Sequence, residues 1–203
     1  MERGGVLRDK PEREDCNCRT DIWNSMLIAR EKKKSNIAEY ILYMWQVEDL
    51  LRALGFNMKQ VKEKVIDRFE VAEDTAKEMY DWYDNLSEMM RKEKVEQKGH
   101  LQILKNNVDE LTELHYFLLQ KANDIRYRQI VTMATGNLID FRLKSEAGNE
   151  VSDVELALNA LYGQLILRLQ KKEIYLQTAQ AMESFSKMIG YLAACYHKNE
   201  REG

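Results

Sequence analysis

Proline is almost missing from this chain. Pro11 is the single example in 203 residues, where average usage of about 5% would supply about ten, so residues 12–203 run without the strongest helix breaker. Sheet-rich and loop-rich folds fit such a sequence poorly. A basic excess is also lacking: Lys plus Arg number 31 against 34 Asp plus Glu, a formal charge of -3, which argues against binding to a nucleic-acid backbone. Long apolar runs are absent too. The most apolar stretch, Leu156 to Leu169, is interrupted by Asn159, Gln164 and Arg168 and falls short of the roughly 20 residues a bilayer requires, so no membrane span is expected. Cysteines are few and odd in number, three, and no apolar run of secretory length opens the chain, which points to a reducing, cytoplasmic compartment. No Gly-rich phosphate loop, Gly-x-Ser-x-Gly elbow or His-Glu-x-x-His pair occurs, so neither an enzyme signature nor a cofactor is expected.

Charged residues make up 32% and hydrophobic ones 44%, the balance of a globular chain rather than a polyelectrolyte. A chain of this length buries roughly 70% of its unfolded surface and needs no disulfide or metal staple. Residues 1–25 stand apart, with Gly4, Gly5, Pro11, mixed charge and no helical stripe, and read as a poorly ordered tail. The compact opening Met26-Leu27-Ile28-Ala29 raises Met26 as an alternative initiator and places the domain at residues 26–203.

The remainder predicts an all-α bundle of six to seven helices. The first strong helix spans about 36–54, with Asn36 as N-cap, Glu39 in the capping-box position and Gly55 as the left-handed residue at its end. A shorter one begins at Asn57 and should pair with the first as a hairpin. Further helices are expected over about 74–94, from Gly99 or His100 to Lys121, and from the Asn123-Asp124 break to Lys144, although Gly136 weakens the last. Ser152-Asp153-Val154-Glu155 is a capping box that starts a helix apolar almost all round near 153–171, predicted to be central. The final helix, about 176–197, has a narrow stripe of Met182, Phe185, Ile189, Leu192 and Tyr196.

The run Asn36-Ile37-Ala38-Glu39-Tyr40-Ile41-Leu42-Tyr43-Met44-Trp45-Gln46-Val47-Glu48-Asp49-Leu50 resembles the opening of an uncharacterised bacterial family of all-helical proteins, a domain of unknown function. Lys98-Gly99-His100-Leu101-Gln102 and Leu158-Asn159-Ala160-Leu161-Tyr162-Gly163 are similar to its other marks. The resemblance covers about Met26 to Lys198 and implies no activity and no site residues.

Three polar residues fall on apolar helix faces. At 100° per residue, Glu48 lies between Ile41, Met44 and Leu51, Arg168 beside Leu161 and Leu165, and His115 among Leu104, Val108, Leu111 and Leu118. A buried carboxylate needs a partner, so a structural network of Glu48 with Arg168 or His115 is expected. The same residues could instead line a polar pocket in which Glu48 acts as acid or base while His115 or Arg168 orients a ligand.

A metal at His100, His115 and His197 fits the spacing badly, since no Glu stands three residues before any of them and Glu96 precedes His100 by four. His100 reads as a residue at a helix start, Cys16-x-Cys18 as incidental thiols, Cys195 as core, and Arg30 to Lys34 as a solvated helix end. Function is expected to lie in protein interaction, including a possible homodimer; the alternative is a small-molecule binder or enzyme built on Glu48, His115 and Arg168.

Overall fold

Capping residues set where the helices begin. A computed structural model describes residues 25–69 and 71–202, and within them Asn36, Asn57, Asp124 and Ser152 each accept backbone N–H bonds from the first turn of the helix they precede. The described residues form eight α-helices and no strand: α1 (Ser25–Ser35), α2 (Ile37–Ala53), α3 (Met58–Lys64), α4 (Glu73–Lys92), α5 (Gln102–Tyr116), α6 (Ile125–Lys144), α7 (Asp153–Leu169) and α8 (Leu176–Glu202). A 3₁₀ turn, Ile66–Arg68, follows α3, and a π turn, Phe117–Lys121, extends α5.

Eight helices replace the six or seven expected, and the addition is α1. Its lysine-rich sequence buries only Met26 and Ala29, too few to leave a periodic stripe. Asn36 is the hinge: its backbone N–H donates to Lys32 at 2.7 Å while its side chain accepts from Ala38 and Glu39. The expected tail, residues 1–25, lies outside the described residues apart from Ser25, which opens α1.

The expected α2–α3 hairpin is also corrected. α3 packs on α4, because seven residues provide one buried anchor, Val61, and Phe69 ends the segment. Gly55 turns the chain at φ +58, the left-handed conformation that glycine adopts without strain.

α7 packs against α2, α5, α6 and α8, as a central helix should. Only its first half is buried, through Val154, Leu156, Ala157, Leu158 and Ala160, and Leu169 is exposed. α8 contacts the same three helices as well as α7, burying Met182, Phe185, Met188, Ile189, Leu192 and Ala193. The bundle therefore centres on the α7–α8 pair. Gly136 leaves α6 unbroken, since one glycine costs only about 1 kcal/mol against alanine.

Candidate functional site

Glu48 projects from α2 into the core, between buried Ile41, Met44 and Leu51, with only 1% of its surface exposed. Its two oxygens meet the segment that leads into α5. Oε1 accepts the Leu101 backbone N–H at 2.8 Å, and Oε2 lies 2.6 Å from His100 Nδ1. With Glu48 as the carboxylate, that ring nitrogen donates. Glu93 Oε2 takes the next amide, Gln102 N, at 2.6 Å, so two carboxylates serve the positive end of α5, where unsatisfied N–H groups and the helix dipole favour anions.

Local backbone geometry brings His100 to this place. The chain leaves α4 through Lys94 and Gly99, both at positive φ. Arg52, anchored to Asp49 at 2.7 Å, reaches across from α2 to donate to the carbonyls of Val95 and Gly99. The His100 ring stacks on Trp45, centroids 4.3 Å apart and 18° from parallel, and Trp45 meets Tyr162 of α7 edge-on at 5.5 Å. Tyr162 donates to the second oxygen of Asp49 at 2.5 Å. Burial and this bond to an acceptor hold its phenol above the usual range. Beside these rings lies a cleft of about 280 Å³ lined in part by Trp45, His100, Lys105, Asp109 and Glu155. His100, its side chain 30% exposed, links the buried carboxylate to that cleft.

The three residues singled out from the sequence do not converge. Glu48 pairs with His100. His115 is buried in α5, and its Nδ1 lies 2.6 Å from the hydroxyl of buried Tyr127. Burial holds this imidazole below its ordinary value, partly offset by Asp153. Tyr127 in turn stacks on Tyr191, which donates to Asp124 at 2.8 Å. Arg168 is exposed, because α7 leaves the core after Ala160. His197 Nε2 accepts the first amide of α2, Ile37 N, at 2.9 Å. The three histidines thus serve three separate places, and among the described residues no group of three or more His, Cys, Asp or Glu is placed to hold a metal.

Glu48, His115, Asp124 and His197 each tie one helix to another or to the segment that leads into it. His100 was the partner that sequence reasoning passed over, since a separation of 52 residues from Glu48 leaves no periodic signal.

The outer surface of α6 is different in kind. Its inner face buries Tyr127, Ala134 and Leu138, yet Ile125, Met133, Ile139 and Leu143 on the other side are 70%, 76%, 55% and 75% exposed. Isolated exposed apolar side chains are ordinary; here four of them lie along one helix.

No helix among the described residues is long and apolar enough to cross a membrane. A family model described as "Domain of unknown function (DUF4924)" matches residues 26–203. Comparison with the curated proteins and with the solved structures finds no match.

Proposed function

The chain belongs to this family of unknown function, and from that premise we propose that it is a cytoplasmic protein-interaction module whose working surface is the outer face of α6. The observation that carries the reading is the row Ile125, Met133, Ile139 and Leu143, exposed opposite a fully packed inner face. Water contact along such a row is unfavourable by roughly 25 cal/mol per Å² of apolar surface, and a partner relieves it. The interior polar groups support the same reading, since Glu48, His115 and His197 are each engaged by the protein's own helices.

The test is affinity capture from cells that make the protein, comparing the wild type with the double variant Met133→Glu, Leu143→Glu. Partners retained by the wild type, further copies of the chain included, should be lost by a variant that melts at the wild-type temperature. Equal recovery of every partner refutes the reading.

One observation favours a second reading, a small-molecule site. His100, held by Glu48, is partly exposed beside the 280 Å³ cleft, the arrangement a positioned acid or base requires. A metabolite panel screened by thermal shift tests it. A compound that stabilises the wild type but not His100→Gln supports a ligand site, and equal stabilisation of both dismisses it.

A further inference from the structure

We propose that the occupant of the α6 face is a second copy of the chain, with the two α6 helices antiparallel about a two-fold axis passing between Thr132 and Gly136. The inference rests on the reading that this face is the working surface. Its warrant is the register of the exposed positions. Ile125, Gln129, Thr132, Gly136, Ile139 and Leu143 follow one another at intervals of four, three, four, three and four, and all six are exposed. Alternating steps of three and four trace one seam along a helix. This order of intervals reads the same in both directions, so an antiparallel copy falls into register with it.

The side chains suit that register. Ile125 lies opposite Leu143 of the second copy, joining large apolar groups at both ends of the seam. Gln129 lies opposite Ile139. At the axis Thr132 lies opposite Gly136, and an added Cβ on Gly136 would meet nothing of its own chain within 4 Å, so the helices can approach closely where the side chains are smallest. A self-complementary patch of this kind is what a two-fold interface requires.

Charge agrees along one edge. Arg126 and Asp140 flank the seam on the same side, with Met133 between them. Antiparallel pairing brings each Arg126 to Asp140 of the other copy, twice by symmetry, and sets the two Met133 side chains beside the axis. Neither Arg126 nor Asp140 belongs to an ion pair among the described residues; the Arg126 guanidinium lies over the ring of its own chain's Tyr191, 5.7 Å from the centroid, a contact it exchanges for Asp140 of the second copy. On the opposite edge Arg128 and Arg142 are turned to acceptors of their own chain, Arg128 to the Leu119 carbonyl and Asn123, Arg142 to the Gly148 carbonyl and Asp153.

The area is sufficient. At their exposures the four large side chains present about 300 Å² of apolar surface per copy, taking ~100 Å² for a fully buried side chain of this size. With polar positions at their usual share, the pair covers on the order of 1,000 Å², the lower bound of a specific interface.

Light scattering or sedimentation of the full chain across a dilution series tests the pairing. The wild type should show twice the 24.0 kDa chain mass. Met133→Glu with Leu143→Glu should weaken the dimer by about thirtyfold or more and release monomer, with an unchanged melting temperature showing that the variant is folded. Arg126→Asp alone and Asp140→Arg alone should each weaken the pair, and the two reversals together should restore it. A wild type of single-chain mass throughout overturns the pairing, while the interaction reading is then decided separately by partner capture. A dimer indifferent to the α6 variants overturns the α6 pairing and leaves the interaction reading to the same partner capture. A dimer that those variants break but the double reversal fails to restore overturns the antiparallel register.

Discussion

Replacing Glu48 by Gln removes one negative charge and almost no volume, so it isolates what the carboxylate does. The amide oxygen can still accept the Leu101 N–H, and the amide nitrogen can donate to His100 Nδ1 once the imidazole adopts its other tautomer. What is lost is the charge assistance in two bonds, at 2.8 and 2.6 Å, together with an anion at the start of α5. Bonds to charged groups contribute about 1.5–3 kcal/mol against about 1 for neutral ones, and an anion at a helix start adds about 0.3–1 kcal/mol. A net loss of about 1–2 kcal/mol is expected, or about 3–6 °C in melting temperature for a domain of this length. Glu48→Leu should cost more, because it leaves a buried backbone donor unpaired. Thermal unfolding followed by circular dichroism measures both. A Glu48→Gln variant that melts at the wild-type temperature refutes the view that this carboxylate ties α2 to α5.

Four smaller perturbations test the same physical reasoning. Ser152→Ala removes the oxygen that accepts Glu155 N at 3.1 Å and should cost about 1 kcal/mol, as loss of an N-cap does; denaturant titration reads it. Gly55→Ala meets no neighbouring atom, so its expected cost, about 1 kcal/mol in the same titration, comes from the positive φ alone. His115 resists protonation in the fold, whereas the unfolded chain takes up that proton at the ordinary value of 6.5. The unfolded state therefore binds more protons just below this value, and stability must fall as pH drops through it and be intact above. His115→Gln should flatten that part of the stability–pH curve, and equal slopes in variant and wild type between neutrality and mild acid contradict the assignment. Burial raises the Cys195 thiol above 9.0, so alkylation followed at its peptide by mass spectrometry should proceed more slowly at neutral pH than for an exposed thiol.

Much of the architecture was legible because it is local. Asn36, Asn57 and Ser152 announce helix starts through side-chain oxygens within three residues of the amides they cap, and all three accept those bonds. Glu48 was legible as an inward-facing carboxylate for a similar reason, since one turn of helix on either side fixes its direction. Its counterpart was not. The position of His100 depends on the turn through Gly99 and on Arg52 reaching from α2 to two carbonyls of that turn, which no spacing in the sequence encodes. Arg168 misled because an apolar stripe shows which residues share a face, not how far along a helix the core extends. α1 escaped notice for the converse reason: its lysines hide a helix whose inward side carries two residues. The outer face of α6 was obscured by apolar residues on both sides of the helix, which blur a stripe into a helix of no evident polarity.

The most direct measurement of the central claim is the solvent exposure of the Met133 methyl group, read by NMR as its relaxation by a soluble paramagnetic agent with the full chain at the concentration where light scattering is done. The paired α6 helices predict relaxation clearly slower than that of a fully solvated methionine, between that limit and the rate of Met79, which is fully buried. Relaxation as fast as that of a fully solvated methionine would show the face bare and contradict the account.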